Sequence, residues 1–265
     1  MSTNELPRID VPSLFSVKGK VAVVTGGSRG IGLMIAQGFV EAGAKVYISS
    51  RKKDVCDQVA AQLSAIGTCI SFPADLSKEE ECVRLAKEIG EREPEVHVLI
   101  NNAGAMWGED IATYPASAFN KILGLNVVSP FILTRELLPQ LRKASRPGDP
   151  ARVINVGSID GIQTPMFETF AYSSSKAAIH QLTRHLASQL APAITVNAIA
   201  PGPFESKMTE FMLGNFKEAI VGNCPMGRIG EAADMAGVAI YLASRAASYV
   251  TGVVIPVDGG IIIKG

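Results

Sequence analysis

Residues 20–32 read KVAVVTGGSRGIG. Val21 to Val24 form an apolar, β-branched run of the length of a buried parallel strand. Thr25 and Gly26 end it. Gly26, Gly30 and Gly32 follow at spacing G-x-x-x-G-x-G, and Ile31, Ile35, Phe39 and Val40 then fall on one helical face. Strand, glycine turn and helix make the first unit of a dinucleotide-binding fold. In such a unit Gly26 makes the tight turn, Gly30 lets backbone approach a pyrophosphate, and Gly32 lets the helix pack close to the strand. The helix N-terminus offers unpaired N–H groups and the positive end of its dipole to phosphates. A βα turn that binds nothing has the same spacing, so the remainder of the chain has to decide.

Outward from this stretch, strand and helix patterns alternate. Strands are expected at 45–50, 68–72, 96–100, 152–156, 193–198 and 252–257, and helices at 54–65, 75–91, 117–143, 170–190 and 231–244. The first helix stops near Glu41 at Gly43, and SRPGDP at 145–150 reads as a loop. The fold class is α/β: a doubly wound, mainly parallel Rossmann sheet with helices on both faces. Residues 1–18, with Pro7 and Pro12, read as an extended arm with little part in the core. Residues 19–265 then form one domain, since no linker and no internal repeat divides them.

Composition removes several function classes. Among 265 residues, 25 Lys and Arg balance 25 Asp and Glu, so no basic field suits nucleic acid and no polybasic run suits a membrane surface. Apolar residues at 47% suffice for a sizeable core. Cys56, Cys69, Cys82 and Cys224 make no C-x-x-C pair and no Cys/His cluster of zinc spacing, so no metal site is expected. They read as reduced thiols of a cytoplasmic chain. MSTNELPRID has no secretory pattern, and no uninterrupted apolar run reaches bilayer length.

Two constellations carry chemistry. About 20 residues past the glycines, NAD-binding folds place an acid on the ribose 2′-OH. Here the chain reads Ser49-Ser50-Arg51, with no carboxylate. Arg51, with Arg29 from the glycine turn, can instead donate to a 2′-phosphate, which favours NADP; two solvated surface arginines are the plainer alternative. Tyr172 and Lys176 stand four apart on one helical face, where an ammonium is expected to draw the phenol pKa down towards neutrality. Ser158 falls at the carboxyl end of the fifth strand, the edge at which open sheets bind ligands. Asn126 lies inside a helical pattern, a poor place for an amide without a polar purpose. Singly, each is also compatible with a structural role.

Together these residues resemble the short-chain dehydrogenase/reductase family over roughly residues 17–260. Thr25-Gly26-Gly27-Ser28-Arg29-Gly30-Ile31-Gly32 matches its cofactor turn, Asp75-Leu76 its adenine-holding pair, and Asn101-Asn102-Ala103-Gly104 its N-N-A-G motif. Asn126, Ser158, Tyr172 and Lys176 match its catalytic tetrad. Pro201-Gly202 matches the step before its nicotinamide-contacting loop, and Asp258-Gly259-Gly260 its C-terminal D-G-G. Two places depart from the pattern: Ser158 precedes Tyr172 by 14 residues where many members have 13, and Ser206 stands where a threonine is common.

The resemblance implies hydride transfer between NADP(H) and a carbonyl carbon. Tyr172 is then the proton donor, Ser158 the oxygen holder, and Lys176 binds the nicotinamide ribose. Asn126 kinks its helix and links Lys176 to solvent through a water. It also implies a homotetramer pairing through 117–143 and 170–190, and a lid at about 203–225 covering the site. Trp107, Phe204 and Met208 are expected, with Ser158, to line an apolar substrate wall.

The stretches PADLS, PARVINVGS, IAPGPFESKMT and IPVDGG further resemble β-ketoacyl reductases, notably the branch linked to rhamnolipid synthesis. The small-molecule substrate is therefore expected to be a 3-oxoacyl thioester on acyl carrier protein or coenzyme A. A sugar acid such as gluconate, or a steroid alcohol, fits the same tetrad, and a catalytically silent dinucleotide sensor is the alternative of another class.

Overall fold

The computed structural model describes residues 9–264, so the first eight residues of the expected arm lie outside the described residues. Among those described, seven strands form one sheet of order β3-β2-β1-β4-β5-β6-β7, with every pairing parallel. The strands are β1 Val21–Thr25, β2 Lys45–Ser49, β3 Thr68–Ser71, β4 Val98–Asn101, β5 Ala151–Val156, β6 Ile194–Pro201 and β7 Val254–Val257. The helices are α1 Val11–Leu14, α2 Gly30–Glu41, α3 Lys53–Ser64, α4 Glu79–Arg92, α5 Ala116–Leu123, α6 Ser129–Glu136, α7 Leu138–Ala144, α8 Phe170–Leu190, α9 Glu210–Asn223 and α10 Ala232–Ala243.

The run Val21–Val24 shows why the sheet is covered twice. Successive side chains point to opposite faces. Ala22 and Val24 enter one core cluster with Ile35, Phe39 and Met235, while Val21 and Val23 enter the other with Leu85, Ile89 and Leu133. A run buried on both sides favours apolar residues at successive positions, as in Val21–Val24. Strand order reverses between β1 and β4, and the crevice at a reversal is where open α/β sheets take their ligands. The carboxyl ends that meet there are Thr25–Gly26 and Asn101–Gly104.

Several expectations need correcting. The arm is not detached: Val17 is 1% exposed within the core, and the Phe15 ring centroid lies 6.3 Å from that of Tyr241. α4 starts at Glu79 rather than at residue 75, because Asp75 is spent on a turn, its Oδ1 accepting from Ser77 N–H at 3.3 Å and Ser77 Oγ–H at 2.8 Å. The pattern at 117–143 is not one regular helix. A π turn over Gly124–Val128 separates α5 from α6, and Leu137 separates α6 from α7. Ala116–Glu136, taken as a whole, has the length and mean hydropathy (1.3) that a membrane-crossing helix also has, although its apolar run is interrupted by polar residues. It is a core helix here, with Ile132 and Leu133 buried against the sheet.

Candidate active site

The glycine turn is closed by backbone contact. Gly26 has φ +66°, open to glycine at little cost, and a Cβ there would stand 2.8 Å from Asn102 Nδ2. A Cβ on Gly32 would collide with the Gly26 carbonyl oxygen and with the same Asn102 amide. Thr25 Oγ accepts from the backbone N–H groups of Asn102 (2.9 Å) and Ala103 (3.0 Å), while Asn102 Nδ2 donates to the Thr25 carbonyl (2.9 Å). The N-N-A-G segment is thus tied to the turn. α2 begins at Gly30 with no side chain capping its first N–H groups. Ser28 is buried, Ile31 packs against the core, and Arg29 is exposed.

At the end of β2, Gly27 N–H donates to the Ser49 carbonyl at 3.2 Å, so this strand end borders the turn. The hydroxyls of Ser49 and Ser50 are buried without a partner, and Arg51 beside them is exposed. Leu76 is buried after Asp75, its carbonyl accepting from Ser129 Oγ. A cradle of glycines, free helix N–H groups, two orphaned hydroxyls and two arginines fit a phosphorylated dinucleotide.

Asn126 sits within the π turn, which removes the puzzle of an amide inside a regular helix; π turns recur at functional sites. Its Oδ1 accepts from Ala105 N–H (2.9 Å), and its Nδ2 donates to the Ala105 carbonyl (3.0 Å) and to Ser175 Oγ (2.9 Å). No direct bond joins it to Lys176. The two meet at Gly104, where a Cβ would lie 3.2 Å from Asn126 Oδ1 and 3.8 Å from Lys176 Nζ. Lys176 is buried, and its Nζ donates to the Val156 carbonyl at 2.8 Å. The Tyr172 ring centroid lies 5.4 Å from that ammonium. Ser158 Oγ accepts from Asp160 N–H at 3.1 Å and faces the Tyr172 phenol.

The expectation that Lys176 draws the phenol pKa down is not met. Burial pushes Tyr172 up to about 12, with Ser158 opposing and Asp160 assisting. Burial also brings Lys176 down to about 8, against the pull of Asp160. At neutral pH Tyr172 is therefore a neutral phenol with a proton to give, and Lys176 is an ammonium.

Sequence reasoning missed a buried polar chain beneath this site. Asn101 Nδ2 donates to Asn155 Oδ1 (2.9 Å), Asn155 Nδ2 to Thr183 Oγ (2.9 Å), and Thr183 Oγ–H to the Ile179 carbonyl (2.8 Å). It joins β4, β5 and α8. Asn101 and Asn155 are register partners on neighbouring strands, a signal visible only once the pairing is known.

On the substrate side, Trp107 and Met208 are exposed as a wall would be, but Phe204 is not. Its ring is buried against Gly230, where a Cβ would strike it, so it anchors the lid instead of lining the cleft. The Phe167 and Phe216 ring centroids lie 5.7 Å apart, bringing the loop before α8 against α9, which bends at Phe216. Pro201 ends β6. Gly202 lets Asp258 approach, since a Cβ there would stand 2.8 Å from the Asp258 Cα. Ser206, hydrogen-bonded to Thr209, lies over the glycine turn, with its Cβ 3.0 Å from the position of a Cβ on Gly30.

Residues 26–262 match a family model described as Enoyl-(Acyl carrier protein) reductase, a span running from the glycine turn past the D-G-G motif. The chain belongs to the short-chain dehydrogenase/reductase family. As a short-chain dehydrogenase/reductase it is an oxidoreductase by family. It is 49% identical over 249 residues to the rhamnolipids biosynthesis 3-oxoacyl-[acyl-carrier-protein] reductase of Pseudomonas aeruginosa, covering 93% of this chain and 97% of that one. It is 36% identical over 251 residues to the 2-dehydro-3-deoxy-D-gluconate 5-dehydrogenase of Bacillus subtilis, covering 93% and 96%. Among solved structures, the Pseudomonas aeruginosa RhlG/NADP active-site complex superimposes with a TM-score of 0.91 at 48% identity, covering 94% of this chain and 98% of that one.

Proposed function

We propose that this short-chain dehydrogenase/reductase is an NADP(H)-dependent ketoreductase that reduces a 3-oxoacyl thioester to the 3-hydroxyacyl product. The observation that carries the reading is the grouping of Ser158, Tyr172 and Lys176, with the Tyr172 ring 5.4 Å from the Lys176 ammonium, together with exposed apolar side chains at Trp107, Phe167 and Phe216. The likeness to a 3-oxoacyl reductase at 49% identity supports the substrate class.

In this reading Gly26, Ser28, Gly30, Ile31 and Gly32 hold the pyrophosphate, and Arg29 and Arg51 the 2′-phosphate. Asp75 and Leu76 border the adenine. Asn102, Ala103, Gly104, Tyr172 and Lys176 line the ribose side, and Pro201, Gly202 and Ser206 the nicotinamide end. When bound, NADPH supplies the hydride. Ser158 Oγ already accepts from Asp160 N–H, which leaves its own hydrogen free to donate to the substrate carbonyl oxygen. As charge builds on that oxygen, Tyr172 gives it the phenolic proton, and carbonyl plus hydride plus proton balances to the alcohol. Lys176 holds a positive charge beside the phenolate that remains.

The test is NADPH oxidation with acetoacetyl-coenzyme A and longer 3-oxoacyl homologues, set beside gluconate-type and steroid substrates. Rates rising with acyl length are expected from an apolar mouth. Activity confined to sugar acids would overturn the acyl reading and leave the reductase chemistry standing. A second prediction concerns the cofactor: NADPH is preferred over NADH, and Arg51→Asp shifts the ratio of their affinities by about tenfold or more towards NADH. Equal binding of the two by the unaltered protein would refute it.

The assembly we infer is a homotetramer of 28.0 kDa chains in the cytoplasm. Val128 and Phe131 are exposed on the 117–143 run through which family members pair, and four free buried cysteines suit a reducing compartment. Sedimentation at micromolar concentration is expected to give four chains, and a single 28.0 kDa species would contradict this.

A further inference from the structure

The pairing of β5 with β6 ends where the Gly157 N–H donates to the Ile199 carbonyl at 2.7 Å. Ser158 is the next residue, extended at φ −168° and past the last bond of that ladder. From there α8 sets its place. The carbonyl of Val156, which precedes Gly157, accepts from Lys176 Nζ at 2.8 Å. One turn further along α8, His180 is buried with its ring against Gly157. A Cβ on Gly157 would stand 2.0 Å from His180 Nε2 and 2.7 Å from its Cδ2, so the imidazole occupies the space of a side chain at 157. Gly157 has no positive φ; the ring, not the backbone turn, calls for a glycine there. Past Ser158 comes a second contact of the same kind. A Cβ on Gly161 would stand 2.5 Å from the Lys176 carbonyl carbon and 2.7 Å from Ala177 N. Ser158 thus hangs between two glycines, and α8 fills the space beside each.

We propose that His180 is a positioning residue: pressed against Gly157, its ring fixes where β5 presents Ser158 to the carbonyl oxygen of the substrate. The inference rests on the hydride-transfer reading above, though not on which carbonyl is reduced.

The state of the ring agrees with this use. His180 Nε2 is buried and, among the described residues, has no hydrogen-bond partner. A polar nitrogen left so is costly as mere core filling. Burial holds the imidazole neutral, taking it down to about 4, with Lys176 and Arg184 acting in the same direction. One ring nitrogen is then bare, and the one without an acceptor is the one that best goes without its hydrogen. A bare nitrogen lets the ring edge come closer to Gly157 than a C–H edge could. The Gly161 backbone faces the same ring, so His180 bears on the chain on both sides of Ser158.

The experiment is a mutant cycle read in kcat, at saturating NADPH, with the best carbonyl substrate of the panel above. His180→Ala is expected to lower kcat about 3- to 30-fold, since a misplacement of about 1 Å costs up to about 10²-fold. In a Ser158→Ala background the same change is expected to cost less than about twofold, because the group that His180 places is gone. If His180 merely packs α8, its loss acts through Tyr172 and Lys176 and lowers kcat by one factor in both backgrounds; that result, or an unchanged kcat in His180→Ala, would overturn the proposal. Gly157→Ala drives a methyl into the ring and is expected to lower kcat about tenfold or more. Gly157→Ala/His180→Ala, where the methyl meets vacated space, is expected to exceed Gly157→Ala alone, and losses that multiply count against the inference. Should His180→Ala not fold, Gly157→Ala in the two Ser158 backgrounds makes the same test from the other side of the contact. If the unaltered enzyme reduces no carbonyl in the panel, the substrate reading has failed on its own. His180 is then judged by crystal structures of the unaltered protein and the folded variant: Ser158 Oγ moved relative to the Tyr172 hydroxyl supports the inference, and Ser158 Oγ in place overturns it.

Discussion

Tyr172→Phe is expected to lower turnover of a reducible ketone by about 10²–10⁴-fold while NADPH still binds. The change removes one hydroxyl and leaves the ring in place 5.4 Å from Lys176 Nζ. Ser158 keeps its bond from Asp160, so the grip on the carbonyl oxygen survives and only the proton is missing. Loss should therefore appear in kcat more than in KM. Lys176→Ala is the instructive contrast. It removes a buried ammonium bonded to the Val156 carbonyl beside Gly104, so both cofactor affinity and turnover fall. Activity of Tyr172→Phe within about tenfold of the unaltered enzyme, or about 1.4 kcal/mol of barrier, would mean that another acid serves.

Gly32→Ala is expected to destabilise the protein by about 1–3 kcal/mol and to weaken NADPH binding by more than about tenfold. The added methyl meets the Gly26 carbonyl oxygen and the Asn102 amide at once. Neither can yield cheaply, because Asn102 Nδ2 is bonded to the Thr25 carbonyl and the Gly26 carbonyl is backbone. Relief requires α2 to back away from β1, which widens the phosphate cradle. Gly237→Ala is the control: it lies on the exposed face of α10, a Cβ there meets nothing within 4 Å, and a helix interior gains up to about 1 kcal/mol from the change. Thermal unfolding and cofactor titration of the two variants separate steric injury at the turn from a general intolerance of alanine.

Much of the fold was legible where burial alone dictates residue type. Val21–Val24 and Arg152–Val156 emerged as strands, and α8 at Phe170–Leu190, because their apolar periods agree with both faces or one face of the layer they occupy. Legibility ended where a polar side chain works on the backbone. Asp75 looked like the first residue of a helix and instead makes a turn, while Asn126 looked misplaced in a regular helix and is held by Ala105 and Ser175 in a π turn. The motif residues were legible at the site because their spacing is local. The protonation states were not. A four-residue interval shows that Lys176 faces Tyr172, but only the packed structure shows that burial raises the phenol and lowers the ammonium. Phe204 illustrates the same limit, since an apolar residue in a lid has two sides to choose from and Gly230 supplies the hole that decides.

The run Asn101–Asn155–Thr183 has a consequence for how the molecule moves. Swinging α8 away from the sheet would strand the Asn155 amide in an apolar interior, and the abandoned bond to Thr183 costs about 1–3 kcal/mol. The helix bearing Tyr172 and Lys176 is therefore welded to the strand that leads to Ser158, and local separation of the two is costly. Whatever admits and releases ligand has to be built from pieces outside that weld: Ser206 lifting from Gly30, Phe216 parting from Phe167, and α9 flexing at its bend. The protein is thus divided into an anvil of bonded helix and strand and a cover with a bend in it, and the pace of turnover is open to control at the cover.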